Sequence, residues 1–189
     1  MWVEMFEPKI VGKNSFLRYI FALHETTKTS LRQASSDVSE IENGDFPVEL
    51  LQTVLTAEIA CVLRYTMISI SRHGLRNQWI GSEFQEQAND ERKHMTMVAE
   101  RIRELGGKPN FDPAYSPLRV ASPDGCVGDF VDYMREDLAS EQCIIAHYRD
   151  LIRYFSDRDP VTLNMLKSIV QDEENHAADI EDLLTSYRE

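Results

Sequence analysis

The sequence predicts an all-α protein: a four-helix bundle of two antiparallel hairpins joined by one long crossover, with an N-terminal extension ahead of it. Three observations carry this. Four long segments repeat apolar residues at helical spacing. The two members of each pair are separated by a few residues, whereas 106–126, between the pairs, holds Pro109, Pro113, Pro117 and Pro123, four of the seven prolines. And the motif Asp-Glu-x-x-His occurs twice, at 90–94 and at 172–176.

Taken in order, residues 1–45 form the extension and 46–189 the bundle. Within the extension, 15–35 carries Phe16, Ile20, Leu23 and Leu31 at helical spacing, and 36–45 reads as a linker. Docking on the bundle and contact with a neighbouring subunit are both open to it. The first bundle helix starts after Asp45-Phe46, with Pro47 suited to a first turn, and runs to about His73. Its stripe is Leu51, Leu55, Glu58, Val62, Tyr65 and Ile68. The second runs from about Asn77 to Leu105 and stops at Gly106-Gly107, with Phe84, Ala88, Glu91, His94, Val98 and Ile102 on one face. The third covers roughly 127–155, striped by Phe130, Met134, Leu138, Glu141, Ile145, Tyr148 and Ile152. The fourth opens with Asp159 as N-cap and Pro160 at the first position, and carries Leu166, Ile169, Glu173, His176, Ile180 and Leu184. At ~3.3 Å per extended residue, 106–126 can travel the length of a bundle.

Composition narrows the function classes. A formal charge of −12 opposes a surface built for nucleic acid, which needs clustered Lys and Arg. Residues 1–34 hold Lys9, Lys13, Arg18, Lys28 and Arg32 against Glu4, Glu7 and Glu25, too small a basic excess for tight duplex binding. Cys61, Cys126 and Cys143 form no C-x-x-C pair, which excludes a rubredoxin-type iron site and a zinc ribbon. They read as reduced thiols. The N-terminus has neither the basic start nor the apolar centre of a signal peptide, and no apolar run is expected to reach the ~20 residues of a membrane span. A cytoplasmic protein without membrane attachment is expected.

The acids in the apolar stripes are the informative feature. Glu58 and Glu141 lie alone in theirs; Glu91 and Glu173 open the Glu-x-x-His pairs with His94 and His176. Each of the four carboxylates lies 13 to 15 residues from its hairpin turn, counted on these helix boundaries, which at ~1.5 Å per residue puts all four roughly 20 Å from the turns and level with one another. The histidines, three residues on, share the inward face. Four carboxylates in a core cost several kcal/mol per ion unless neutralised, and two divalent ions would neutralise them. Oxygen with some imidazole and no thiolate suits iron or manganese better than copper or structural zinc. Asp90 and Asp172, each four residues before a histidine, are placed to accept the free N–H of the histidine on the opposite hairpin, with a solvated flank position as the alternative. Cys61 lies one turn from Glu58, near the metals or as a small buried hydrophobe; Cys143 points away from Glu141.

These residues resemble the bacterioferritin branch of the ferritin superfamily across about 47–187. The segments carrying the likeness are Leu-Thr-Ala-Glu58 with Tyr65 seven residues on, Asn-Asp-Glu91-Arg-Lys-His94, Glu-Asp-Leu-Ala-Ser-Glu141, Gln-Asp-Glu173-Glu-Asn-His176 and Gly106-Gly-Lys-Pro-Asn110. The ligand pattern is that of ferritin-like di-iron and di-manganese bundles. The resemblance implies two Fe per subunit, with Glu58 and Glu141 as terminal ligands, Glu91 and Glu173 as bridges and one histidine per metal; Mn stays open. It implies ferroxidase activity with O2 or H2O2 and storage of ferric product in a hollow homo-oligomeric shell. Tyr65 corresponds to a tyrosine near the family's di-iron centre, where it donates an electron or a hydrogen bond; a core tyrosine with a satisfied hydroxyl is the plainer role. No haem is expected, because Arg92 stands where haem-binding members carry methionine after the bridging glutamate. Thirteen residues after His176 leave no room for the short fifth helix of 24-subunit shells, so a dodecamer of the small Dps-like kind is favoured over a 24-mer. The rivals are a manganese catalase or rubrerythrin-like peroxidase on the same bundle, and a Dps-type DNA-protecting protein.

Overall fold

Helix ends fall where side chains can satisfy the backbone. In the computed structural model, which describes residues 16–36, 45–71, 78–112 and 130–186, five helices account for nearly all of the described chain and no strand occurs among those residues. They are α1 (Phe16–Ser36), α2 (Asp45–Ser71), α3 (Gln78–Glu104), α4 (Phe130–Phe155) and α5 (Pro160–Ser186). The linker after α1, the turn between α2 and α3, most of the crossover, and Cys126 lie outside the described residues.

Asp159 caps α5 as expected: its Oδ1 accepts the backbone N–H of Val161 and of Thr162, each at 3.1 Å. Its Oδ2 also takes the Arg101 guanidinium at 2.8 Å, tying the start of α5 to the end of α3. That same end of α3 closes in a Schellman turn. Gly107 N–H reaches Ile102 O at 2.9 Å and Gly106 N–H reaches Arg103 O at 3.0 Å, with Gly106 at φ +85°. Gly107 is required for another reason: a Cβ there would stand 2.5 Å from Val48 Cγ1. The first crossover residues are pinned on α2, where the Gln52 amide pairs with both the N–H and the carbonyl of Asn110 at 2.9 and 3.0 Å.

α2 packs most extensively on α3, and α4 on α5, with lighter contacts between the hairpins. Leu51, Leu55, Phe84, Ile102, Met134, Leu151, Leu166, Ile169 and Ile180 fill the interior and are fully buried. α1 lies across the outer face of α4 and α2, burying Phe16, Leu17 and Ile20. One expectation needs correction. By length and composition α2 is apolar enough to cross a membrane, with a mean hydropathy of 1.5 over its best window. The reason is that α2 is covered by α3, α4 and α1 together, so apolar residues extend well beyond the single stripe of a surface helix.

Candidate metal centre

The bundle core at mid-height contains acid instead of hydrocarbon. Glu58, Glu91, Glu141 and Glu173 are all buried, and so are His94 and His176. Their donor atoms fall into two overlapping clusters: Glu58, Glu91, His94 and Glu173 in one, and Glu91, Glu141, Glu173 and His176 in the other, each within 4.8 Å. Glu91 and Glu173 belong to both. Glu91 sets Oε2 3.5 Å from His94 Nδ1 and Oε1 3.3 Å from His176 Nδ1. Glu173 does the same in reverse, with Oε1 3.1 Å from His94 Nδ1 and Oε2 3.3 Å from His176 Nδ1. Each central carboxylate therefore spans both halves with its two oxygens.

Charge in this space is unresolved by protein partners alone. Burial, then the neighbouring Glu91, pushes Glu58 well above the usual carboxylate range. Burial, then Glu173, does the same to Glu141. Burial works against the charged form of His176, but the adjacent carboxylates of Glu173 and Glu91 outweigh it and raise the imidazole to about 12. His94 rises likewise, against burial, through Glu173, Glu58 and Glu91. Glu173 is held at about 2 because the two histidines overcome its desolvation. Even so, Glu58 Oε2, both oxygens of Glu91, Glu141 Oε2, Glu173 Oε1 and His94 Nδ1 are buried without a hydrogen-bond partner. Such orphans are rare in native cores, and these face one another. A donor set of oxygens and two imidazoles with unpaired atoms fits two divalent cations of the iron or manganese type.

Outside the six, Asp172 Oδ2 lies 3.2 Å from His94 Nε2, as the spacing predicts. Its counterpart Asp90 Oδ2 stands 3.8 Å from His176 Nε2 and is not hydrogen-bonded to it. The Tyr65 hydroxyl donates to Glu141 Oε1. Sequence reading overlooked its partner in symmetry: Tyr148 donates to Glu58 Oε1. The signal was present, since Tyr148 follows Glu141 by the same seven residues that separate Tyr65 from Glu58. Cys61 is buried beside the carboxylates, whose charge adds to burial in raising its thiol. Cys143 does leave the site, its Sγ 3.9 Å from His24 Nδ1 beneath α1.

The profile of the ferritin family, a ferritin-like domain, matches residues 48–189. The chain belongs to that family. Among ferritin-like relatives, the DNA protection during starvation protein of Pyrococcus furiosus is 26% identical over 141 residues, 73% of this chain and 76% of that protein. A dodecameric thioferritin, the bacterioferritin-related protein of Bacteroides fragilis, superposes with a TM-score of 0.70 at 25% identity, covering 83% of this chain and 95% of that one. The Rhodobacter capsulatus bacterioferritin, with a metal-free dinuclear site and a haem iron, gives 0.63 at 25% identity, covering 75% and 84%. Where the resemblance placed a haem methionine, this ferritin-like chain carries Arg92 on the exposed side of α3, its guanidinium donating to Asn89 Oδ1 at 2.8 Å.

Proposed function

We propose that the chain is a non-haem di-iron ferroxidase, oxidising Fe(II) with O2 or H2O2 and holding ferric product in a homo-oligomeric cage. The observation that supports this best is the reach of Glu91 and Glu173: each offers one oxygen to each half of the centre. Two metals held by these residues would supply two electrons to one oxidant.

The chain's own residues have separable roles in this reading. Glu58 with His94, and Glu141 with His176, would hold one metal each, and Glu91 and Glu173 would be shared between the two. Tyr148 and Tyr65 orient the terminal carboxylates by hydrogen bonds, and Tyr65 is also placed to donate an electron. Because the Glu58 and Glu141 carboxyls and the two imidazoles favour their protonated forms without metal, loading must release protons, and affinity must fall as pH falls. Removal of Fe(II) and peroxide protects DNA without contact, so a function like that named for the Pyrococcus relative needs no basic surface. A twelve-subunit cage, as in the Bacteroides relative, is the assembly proposed, and the protein is proposed to act in the cytoplasm.

The test is stopped-flow oxidation of anaerobically loaded protein by O2 and by H2O2. Glu91→Ala or Glu173→Ala should slow it at least ~100-fold while circular dichroism stays helical. Wild-type rates in either variant would sink the assignment. Fast H2O2 disproportionation by a manganese-loaded sample, with no iron oxidation, would favour the catalase alternative.

A further inference from the structure

The two halves of the centre are matched in their ligands but not in what stands behind them. His94 Nε2 has Asp172 Oδ2 at 3.2 Å. Among the described residues Asp172 forms no salt bridge with Lys or Arg, and Lys93, whose charge reaches it, is hydrogen-bonded to Asp90 instead. His176 Nε2 is buried and unpartnered, because Asp90 Oδ2 stops 3.8 Å away and Asp90 Oδ1 is engaged by Lys93 Nζ at 2.6 Å. The difference traces to one position. Lys93 precedes His94 directly; the residue directly before His176 is Asn175, whose amide carries no charge to draw Asp172 aside.

A carboxylate accepting Nε2–H fixes the imidazole as the tautomer whose Nδ1 lone pair faces the metal, and fixes the ring plane. His94 has that support in place. His176 does not, and a metal bound there must either leave a buried N–H unpaired or draw Asp90 inward from Lys93. We propose that the two subsites bind divalent metal unequally, the His94 subsite more tightly, and that Lys93 sets the inequality by withholding Asp90 from His176. This rests on the metal centre proposed above. Lys93 is here a positioning residue: it touches neither metal, and acts through Asp90 on His176.

The experiment is anaerobic titration of the assembled protein with Co(II), read by calorimetry and by ligand-field absorption. Wild type should show two resolved steps totalling two Co(II) per chain. Lys93→Met should tighten the weaker step several-fold and leave the tighter one in place; Lys93→Arg should restore the wild-type separation. Asp172→Asn should weaken the tighter step about ten-fold or more. Adding Asp90→Asn to Lys93→Met should remove the gain. Two equal steps in wild type, or a Lys93→Met variant that shifts both steps by the same factor as simple charge removal would, overturns the proposal and leaves the centre standing. Failure to bind two Co(II) at all would instead overturn the centre, and this proposal with it.

Discussion

The hairpins α2/α3 and α4/α5 are near copies in their inward-facing residues and strangers in their outward-facing ones. Glu58 and Tyr65 correspond to Glu141 and Tyr148, and Glu91 and His94 to Glu173 and His176. One step outward, Arg64 corresponds to His147, and Thr53 to Glu136. Arg64 and His147 are buried, Thr53 and Glu136 half-buried, and both places are covered by α1, in different chemistry. Arg64 Nε donates to Asp137 at 2.9 Å and its NH2 group to Glu136 at 3.1 Å, with the rings of Phe16 and Tyr133 over the guanidinium. His147 Nε2 lies 3.1 Å from the hydroxyls of Thr27 and Thr53 and its ring stacks on His24. Symmetry persists in the side chains that converge at mid-height of the bundle. It is lost where a single helix crosses both halves, since α1 presents an apolar first turn to one and a polar middle to the other.

That contrast can be broken at the charged end first. Arg64→Ala would leave Asp137 buried with no cation; Asp137 already sits near 6 because burial outweighs the help of Arg64. The expected loss is about 3–5 kcal/mol in chemical denaturation. Arg64→Met with Asp137→Leu, which removes both charges, should recover most of it. If the double variant is as unstable as the single, the shape of the guanidinium against Phe16 matters more than charge.

The neutral end should respond to acid. Burial, then the charge of His24, holds His147 at about 3 against an ordinary 6.5, with Asp150 opposing only weakly. Between those values the unfolded chain binds the extra proton, so this residue costs nothing above pH 6.5 and destabilises the fold progressively as pH falls towards 3. At about 1.4 kcal/mol per unit, the penalty is on the order of several kcal/mol at its full extent. Denaturation from pH 7 to pH 4 should show wild type losing more than His147→Gln, and parallel curves would mean that His147 finds water or a counter-charge. The groups around it, His24, Asp150, Cys143, Thr27 and Thr53, are unchanged in the comparison.

Periodicity reached the inner layer of this molecule and stopped short of the outer one. Asp159, Gly106 and the six converging acids and histidines were legible because each depends on its own helix or on a repeated spacing. Tyr148 was legible by the same repeat but was read as ordinary core. Arg64 and His147 were not legible: a four-helix pattern assigns their face to solvent, and only a fifth helix lying across it buries them. The unequal support of His94 and His176 was also hidden, because Asp90 and Asp172 occupy equivalent positions, and the competing Lys93 looks like any surface lysine.

The smallest effect concerns the tyrosines and sharpens the comparison most. Tyr65 on α2 serves Glu141 on α4, and Tyr148 on α4 serves Glu58 on α2, so the hydroxyls lock the halves reciprocally. Without metal the carboxyls they serve are pushed towards their neutral form by burial. Losing a hydroxyl then costs a neutral hydrogen bond, about 1 kcal/mol, instead of the larger value for a charged acceptor. With metal bound the carboxylates are ionised, and the same loss should show as several-fold weaker loading. Geometry gives the two residues the same place, so Tyr65→Phe and Tyr148→Phe should match within about three-fold in loading and in oxidation rate. Their surroundings differ modestly: the Tyr65 ring has Phe84 at 5.6 Å and the Tyr148 ring has His147 at 6.3 Å. Stopped-flow with both variants decides between orientation and electron donation. Matched rates assign both tyrosines to orientation; a Tyr65→Phe variant that loads normally yet oxidises far more slowly than Tyr148→Phe assigns electron donation to Tyr65 alone, and the symmetry would then end inside the site.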